Sequence, residues 1–82
     1  MTDENQKTDF GYIELRIDEI LKERGISKNR ICKDLEIERP NFNRYCQNRF
    51  QRMDALLLCK LCLYLNIEIG ELVVYHRPED EN

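Results

Sequence analysis

Arginine and asparagine recur between residues 39 and 52, as Arg39, Asn41, Asn43, Arg44, Asn48, Arg49 and Arg52. The arginine fork matches the O6 and N7 acceptors of guanine, and the asparagine amide matches N6 and N7 of adenine. Basic side chains on either side of such a set add an attraction for phosphate that ignores sequence. Ser27 and Lys28 stand just upstream, where a helix is expected to begin. A helix N-terminus points backbone N–H groups outward and suits phosphate as well.

The charge pattern fits that chemistry, although the net charge does not. The chain has 82 residues and a formal charge of −3. Residues 1–20 carry two basic and six acidic side chains, residues 21–52 nine and four, and residues 53–82 two and six. A basic middle between acidic flanks is a local electrostatic footprint that a whole-chain average conceals.

Other chemistries find little support. Cys59 and Cys62 have the spacing of half a metal or redox site, but leucines flank them and no second compact pair follows. The four cysteines, Cys32, Cys46, Cys59 and Cys62, all fall in helical patterns, where they act as small apolar residues. They are expected to be reduced thiols in the cytoplasm. His76 is the single histidine and has no nucleophile or metal partner in view. No enzyme activity, cofactor or metal is therefore expected. No apolar run is long enough to cross a membrane, and the first residues contain no signal-peptide core.

Positioning the arginines and asparagines requires short helices. Residues 1–11 read as a disordered polar tail and 77–82 as a polar C-terminal tail, with one domain over 12–76. Residues 12–16 alternate like a strand, and a first helix is expected over 17–24, closed by Gly25 in the left-handed conformation. Ser27 caps a second helix that runs to Leu35. Residues 36–38 make a tight turn, and a third helix spans 39–47. Pro40 is tolerated in its first turn, with Arg39 either helical or serving as the cap. Phe42 and Tyr45 are spaced for core packing and not for stacking on bases. Residues 48–52 read as a polar, basic loop. A fourth helix is expected over 53–65, ended by Asn66, then one more turn over 67–72 and a short strand over 73–75.

Two short helices joined by a three-residue turn inside the basic stretch follow the helix-turn-helix plan. The residues Gly25-Ile26-Ser27-Lys28, Ile31-Cys32, Ile37 and Phe42-Asn43-Arg44-Tyr45 resemble the Cro/CI-type helix-turn-helix of phage repressors and bacterial regulators. The run 58–66 and Ile69-Gly70-Glu71-Leu72 resemble the last two helices of that family. The resemblance implies a mainly α, lambda-repressor-like domain of four to five helices, to which the strand-like residues 12–16 and 73–75 can add a short two-stranded ribbon. It implies base reading by Arg39, Pro40, Asn41, Asn43 and Arg44, and phosphate contacts from Ser27, Lys28, Asn48, Arg49 and Arg52. Glu36 and Glu38 depart from the family, which often has glycine in the turn and serine or threonine as the cap. Their carboxylates repel phosphate.

The resulting expectation is a cytoplasmic transcriptional repressor that binds a palindromic double-stranded operator as a homodimer. A protein-interaction module or antitoxin on the same fold is the alternative. The core is expected to hold Ile17, Ile20, Leu21, Ile31, Leu35, Ile37, Phe42, Leu58, Leu61, Cys62, Leu65, Ile69 and Leu72. Leu58, Leu61, Cys62 and Leu65 follow the inward helical period. Leu57, Leu63, Tyr64, Val73, Val74 and Tyr75 are then left as an apolar surface for the second protomer, unless residues 1–12 fold back over it.

Overall fold

A computed structural model gives the structure, described here for residues 8–78. Most of the expected tails, 1–7 and 79–82, lie outside the described residues. The elements run β1 (Tyr12–Leu15), α1 (Ile17–Arg24), α2 (Lys28–Leu35), α3 (Arg39–Cys46), α4 (Ala55–Leu65), α5 (Ile69–Leu72) and β2 (Val73–His76). None of these helices is long and apolar enough to cross a membrane.

Helices this short are marginal on their own, so packing and end contacts must hold them. Each of the four longer ones is followed by a single left-handed residue: Gly25, Glu36 and Asn66 at the caps of α1, α2 and α4, and Asn48 one position past the Gln47 cap of α3. At each end the next residue returns its N–H to a carbonyl one turn back. The bonds are Ile26 to Leu21 (3.0 Å), Ile37 to Cys32 (2.9 Å), Arg49 to Arg44 (2.8 Å) and Ile67 to Cys62 (3.0 Å). This is the Schellman closure, which satisfies orphan carbonyls and turns the chain sharply. Ile26, Ile37 and Ile67 then pack against the core.

α2 and α4 are capped at their starts as well. Ser27 Oγ accepts the Arg30 N–H at 3.1 Å, and Asp54 Oδ1 accepts the Leu56 N–H at 3.2 Å. Arg39 lies inside α3 with Glu38 as its N-cap, which resolves the two readings of Arg39. Asp54 starts α4 later than residue 53, and α5 begins at Ile69 instead of residue 67.

The ribbon forms as expected. β1 pairs antiparallel with β2, with Tyr12 opposite His76 and Leu15 opposite Val73. Residues 8–11 are not a tail. Thr8 and Gly11 exchange backbone hydrogen bonds, and Tyr75 Oη donates to the Phe10 carbonyl at 2.7 Å. Gly11, at φ +99, lies so close to the His76 carbonyl that a Cβ would stand 2.2 Å from that oxygen. Only glycine fits this approach.

Leu15, Ile17, Ile31, Phe42, Leu61, Leu65 and Leu72 form the fully buried centre. Several expectations need correction. Ile69 is 52% exposed instead of buried. Leu57, expected on the outer surface, is buried, while Leu58 and Cys62 are only half-buried. α4 has leucine or cysteine at eight of its eleven positions, so periodicity alone does not choose its inner face. Leu57, Leu61 and Leu65 form that face. Leu35 and Ile37 are half-buried against the core. The 48–52 loop is anchored by Phe50, which is buried with its ring 5.6 Å from that of Tyr45.

Asn48 ties this loop to the ribbon. Its side-chain oxygen accepts the Leu15 N–H at 2.6 Å, and its amide nitrogen donates to the Leu15 carbonyl at 3.2 Å. Asn48→Ala loses both bonds and leaves a left-handed residue without asparagine's tolerance for it, costing about 2–3 kcal/mol. Asn48→Gly relieves the backbone and should cost about 1–2 kcal/mol. Urea unfolding of the two variants should give that order.

Candidate nucleic-acid interface

The sequence builds the interface by giving α3 one apolar face. Phe42, Tyr45 and Cys46 point inward, and Arg39, Pro40, Asn41 and Arg44 are exposed, with Asn43 half-buried. α2 packs behind it through Ile31 and Cys32. The left-handed Glu36 and the returning Ile37 fix the turn between the two helices. Tyr45 holds the following loop to α3, since its hydroxyl donates to the Arg52 carbonyl at 3.5 Å and accepts the Asp54 N–H at 3.3 Å.

Arg39 Nε donates to Asn43 Oδ1 at 3.2 Å, and its Nη1 donates to Asn29 Oδ1 on α2. Arg44 Nε donates to the Arg49 carbonyl at 3.3 Å, and Arg49 Nη1 to Gln47 Oε1 at 3.5 Å. Arg52 and Gln51 join Asn41, Arg44, Tyr45 and Phe50 around an open cleft of about 370 Å³. Basic and amide groups thus rim a recess at the end of α3, a shape suited to a phosphate or a base edge.

Other expected contacts are partly committed within the chain. Lys28 Nζ lies 3.2 Å from Asp18 Oδ1, which reduces its pull on phosphate. Ser27 Oγ accepts the capping bond, though its O–H remains a donor. Asn48 is turned inward onto Leu15, so its side chain is spent on the fold. Glu36 and Glu38 are exposed at the turn. Two residues without a distinct sequence signal join the surface. Gln51 lines the cleft, and Asn29 reaches Arg39 across ten positions of chain. Both are polar and exposed, but nothing in their spacing foretells these neighbours.

The cysteines behind the surface are poor nucleophiles. Burial pushes the Cys46 thiol up to about 12, and Asp18 adds to the shift while Lys28 opposes it. Burial also raises Cys32, against the pull of Arg39. Burial and then neighbouring Cys59 raise Cys62. Among the described residues no group of three or more His, Cys, Asp or Glu is placed to hold a metal ion.

Residues 16–78 match the family model of the Cro/C1-type HTH DNA-binding domain. The crystal structure of the transcriptional regulator VanUg (form II) superposes with a TM-score of 0.69. It is 17% identical, and the alignment covers 90% of this chain and 97% of that one. At that identity the likeness is one of fold. No curated protein sequence matches the chain.

Thiol labelling checks the packing behind α3. In the native protein at mildly alkaline pH, the exposed Cys59 should react first, and Cys32 and Cys46 only on unfolding. Folded Cys46 keeps a proton that an unfolded cysteine loses above about pH 9. Its contribution to stability is therefore full below that pH and is lost as pH rises toward about 12. Chemical denaturation across that range should show a shallower decline for Cys46→Ala than for wild type.

Proposed function

The chain belongs to the Cro/C1-type helix-turn-helix DNA-binding family, and we propose that it reads a specific duplex site through α3 and represses transcription there. The observation that carries this reading is the outer face of α3, where Arg39, Asn41, Asn43 and Arg44 stand together on a helix backed by a rigid core. Those side chains match major-groove base edges, and Pro40 offers an apolar contact for a thymine methyl. Arg49 and Arg52, with Ser27 and Lys28 at the other end, supply phosphate contacts. The reaction is binding and needs no cofactor. The setting is the cytoplasm, where the four cysteines stay reduced.

Specificity from so small a surface calls for two protomers on a palindromic operator, with half-sites about one helical turn apart. Support for a homodimer comes from α4. Leu56 and Leu63, 61% and 86% exposed, are seven residues apart on one helix face, with exposed Cys59 between them. Leu57 leaves the expected contact set because it is buried, and Tyr64 is half-buried with its hydroxyl on Asp34 Oδ2 at 2.5 Å. Val73 and Val74 are half-buried and Tyr75 is exposed on β2, which among the described residues pairs with β1 alone, so a strand of a second protomer would add at its other edge. A protein-interaction module or antitoxin on this fold is the second reading, favoured by the exposed Glu36 and Glu38 in the turn.

Salt dependence separates the two readings. Each neutralised phosphate contributes a log–log slope of about −0.9, so a dimer with ~2–3 contacts per protomer should give roughly −4 to −5. Affinity for duplex DNA that stays flat from low to physiological salt would sink the DNA reading.

Sedimentation tests the dimer. Wild type should sediment at twice 9.9 kDa at micromolar concentration. Leu63→Glu should give a folded monomer that binds its site less tightly. A wild type that remains a monomer when concentrated excludes the dimer.

A further inference from the structure

Arg39 opens α3, at the end of a recognition helix that meets base edges. Its guanidinium is held from both helices of the pair, by Asn43 Oδ1 on α3 and by Asn29 Oδ1 on α2. We infer that Arg39 is the principal base-reading arginine of this domain and that Asn29, on the other helix, is the residue that positions it. The inference rests on the DNA reading proposed above.

A guanidinium carries five N–H donors in a rigid plane. The two amide oxygens take one on Nε and one on Nη1. Three remain, including both on Nη2, which is enough for the parallel pair that guanine O6 and N7 accept. The chemistry of the holders matters. A carboxylate would orient the arginine but also cancel its charge, whereas an amide oxygen orients it and leaves the charge for DNA.

A long side chain that is already ordered loses less freedom on binding, and that saving goes to the base contact. Arg44 is held differently. Its Nε bonds the Arg49 carbonyl in the loop after α3, toward Arg49 and Arg52 and away from the helix start. From there it meets a different base pair from the one Arg39 reads. Asn29 is exposed and lies outside the core, so its side chain has little packing to do. Its amide oxygen instead spans from α2 to α3.

Selection from random duplex DNA with the full chain tests this. Wild type should enrich a site containing a guanine whose preference vanishes in Arg39→Ala. Asn29→Ala should lower the preference at that same base pair roughly threefold to tenfold, the effect of ordering one flexible side chain at binding. Its Tm and its affinity for a scrambled duplex should stay at wild-type values. Asn29→Asp, which keeps an acceptor oxygen but sets a carboxylate against the guanidinium, should regain the preference at that base pair while lowering affinity for every duplex. Arg44→Ala should leave that base pair unchanged. An Asn29→Ala profile identical to wild type, or weakened equally on every sequence, overturns the positioning role and leaves the DNA reading standing. A wild type that holds duplex DNA without preference overturns the inference and the site-specific part of the proposed function, and leaves duplex binding standing. A wild type that holds no duplex even at low salt overturns the DNA reading as well.

Discussion

The left-handed residue that ends each longer helix is the constraint on which this domain depends. Helices of eight to eleven residues cannot persist by propensity, and they pack only if each stops at a defined place. Gly25, Glu36, Asn48 and Asn66 provide those stops. At three of the four, an isoleucine follows directly and returns to the core, so one bond pattern closes a helix and anchors the connection. Only one of the stops is glycine. The other three accept a backbone region that costs a side chain about 1 kcal/mol, which tertiary packing must offset. At Glu36 this has a further effect, because the same residue aims α3 and puts a carboxylate beside the proposed DNA surface.

α3 is braced from several directions. Phe42 sinks into the core from its middle. Tyr45 and Phe50 pin the loop at its end, and Asn48 fastens that end to Leu15 in the ribbon. The ribbon is closed in turn by Gly11 against His76, by Tyr12 stacked on the His76 ring, and by the Glu14–His76 contact at 2.7 Å. A helix held this way presents its outer side chains in one arrangement, and base recognition needs that preorganisation. Asn48 shows the competition involved. Its residue type would serve phosphate, but its amide is fully used in holding the fold.

Charge on this domain works at the scale of individual pairs. Lys28 is paired with Asp18 and Arg30 with Asp34, so part of the basic middle is neutralised on the spot. Arg39 and Arg49 donate to amide oxygens and Arg44 to a carbonyl oxygen, contacts that orient a guanidinium without cancelling its charge. The attraction for a polyanion therefore concentrates at Arg39, Arg44, Arg49 and Arg52, beside α3, although the chain as a whole is acidic.

Local rules carried the helix pair in the sequence. Ser27 before a helical run, Gly25 after one, Pro40 in a first turn and the i, i+3 spacing of Phe42 and Tyr45 each follow from backbone sterics or helical period, so they place α1, α2 and α3 without a partner. The alternating residues 12–16 and the β-branched 73–75 similarly marked the ribbon. What could not be read was decided by contacts distant in sequence. Leucines cover every side of α4, and only the neighbouring helices select Leu57, Leu61 and Leu65 as its inner face. Ile69 looks like core, but α5 is one turn long and buries Leu72 instead. Phe50 in a basic loop, Asn48 on Leu15 and Asn29 on Arg39 are invisible to any periodic rule. Asn48 and Asn29 meet partners 33 and 10 positions away, Phe50 packs on Tyr45 from a loop, and a side chain's role is set by what the folded backbone brings within reach.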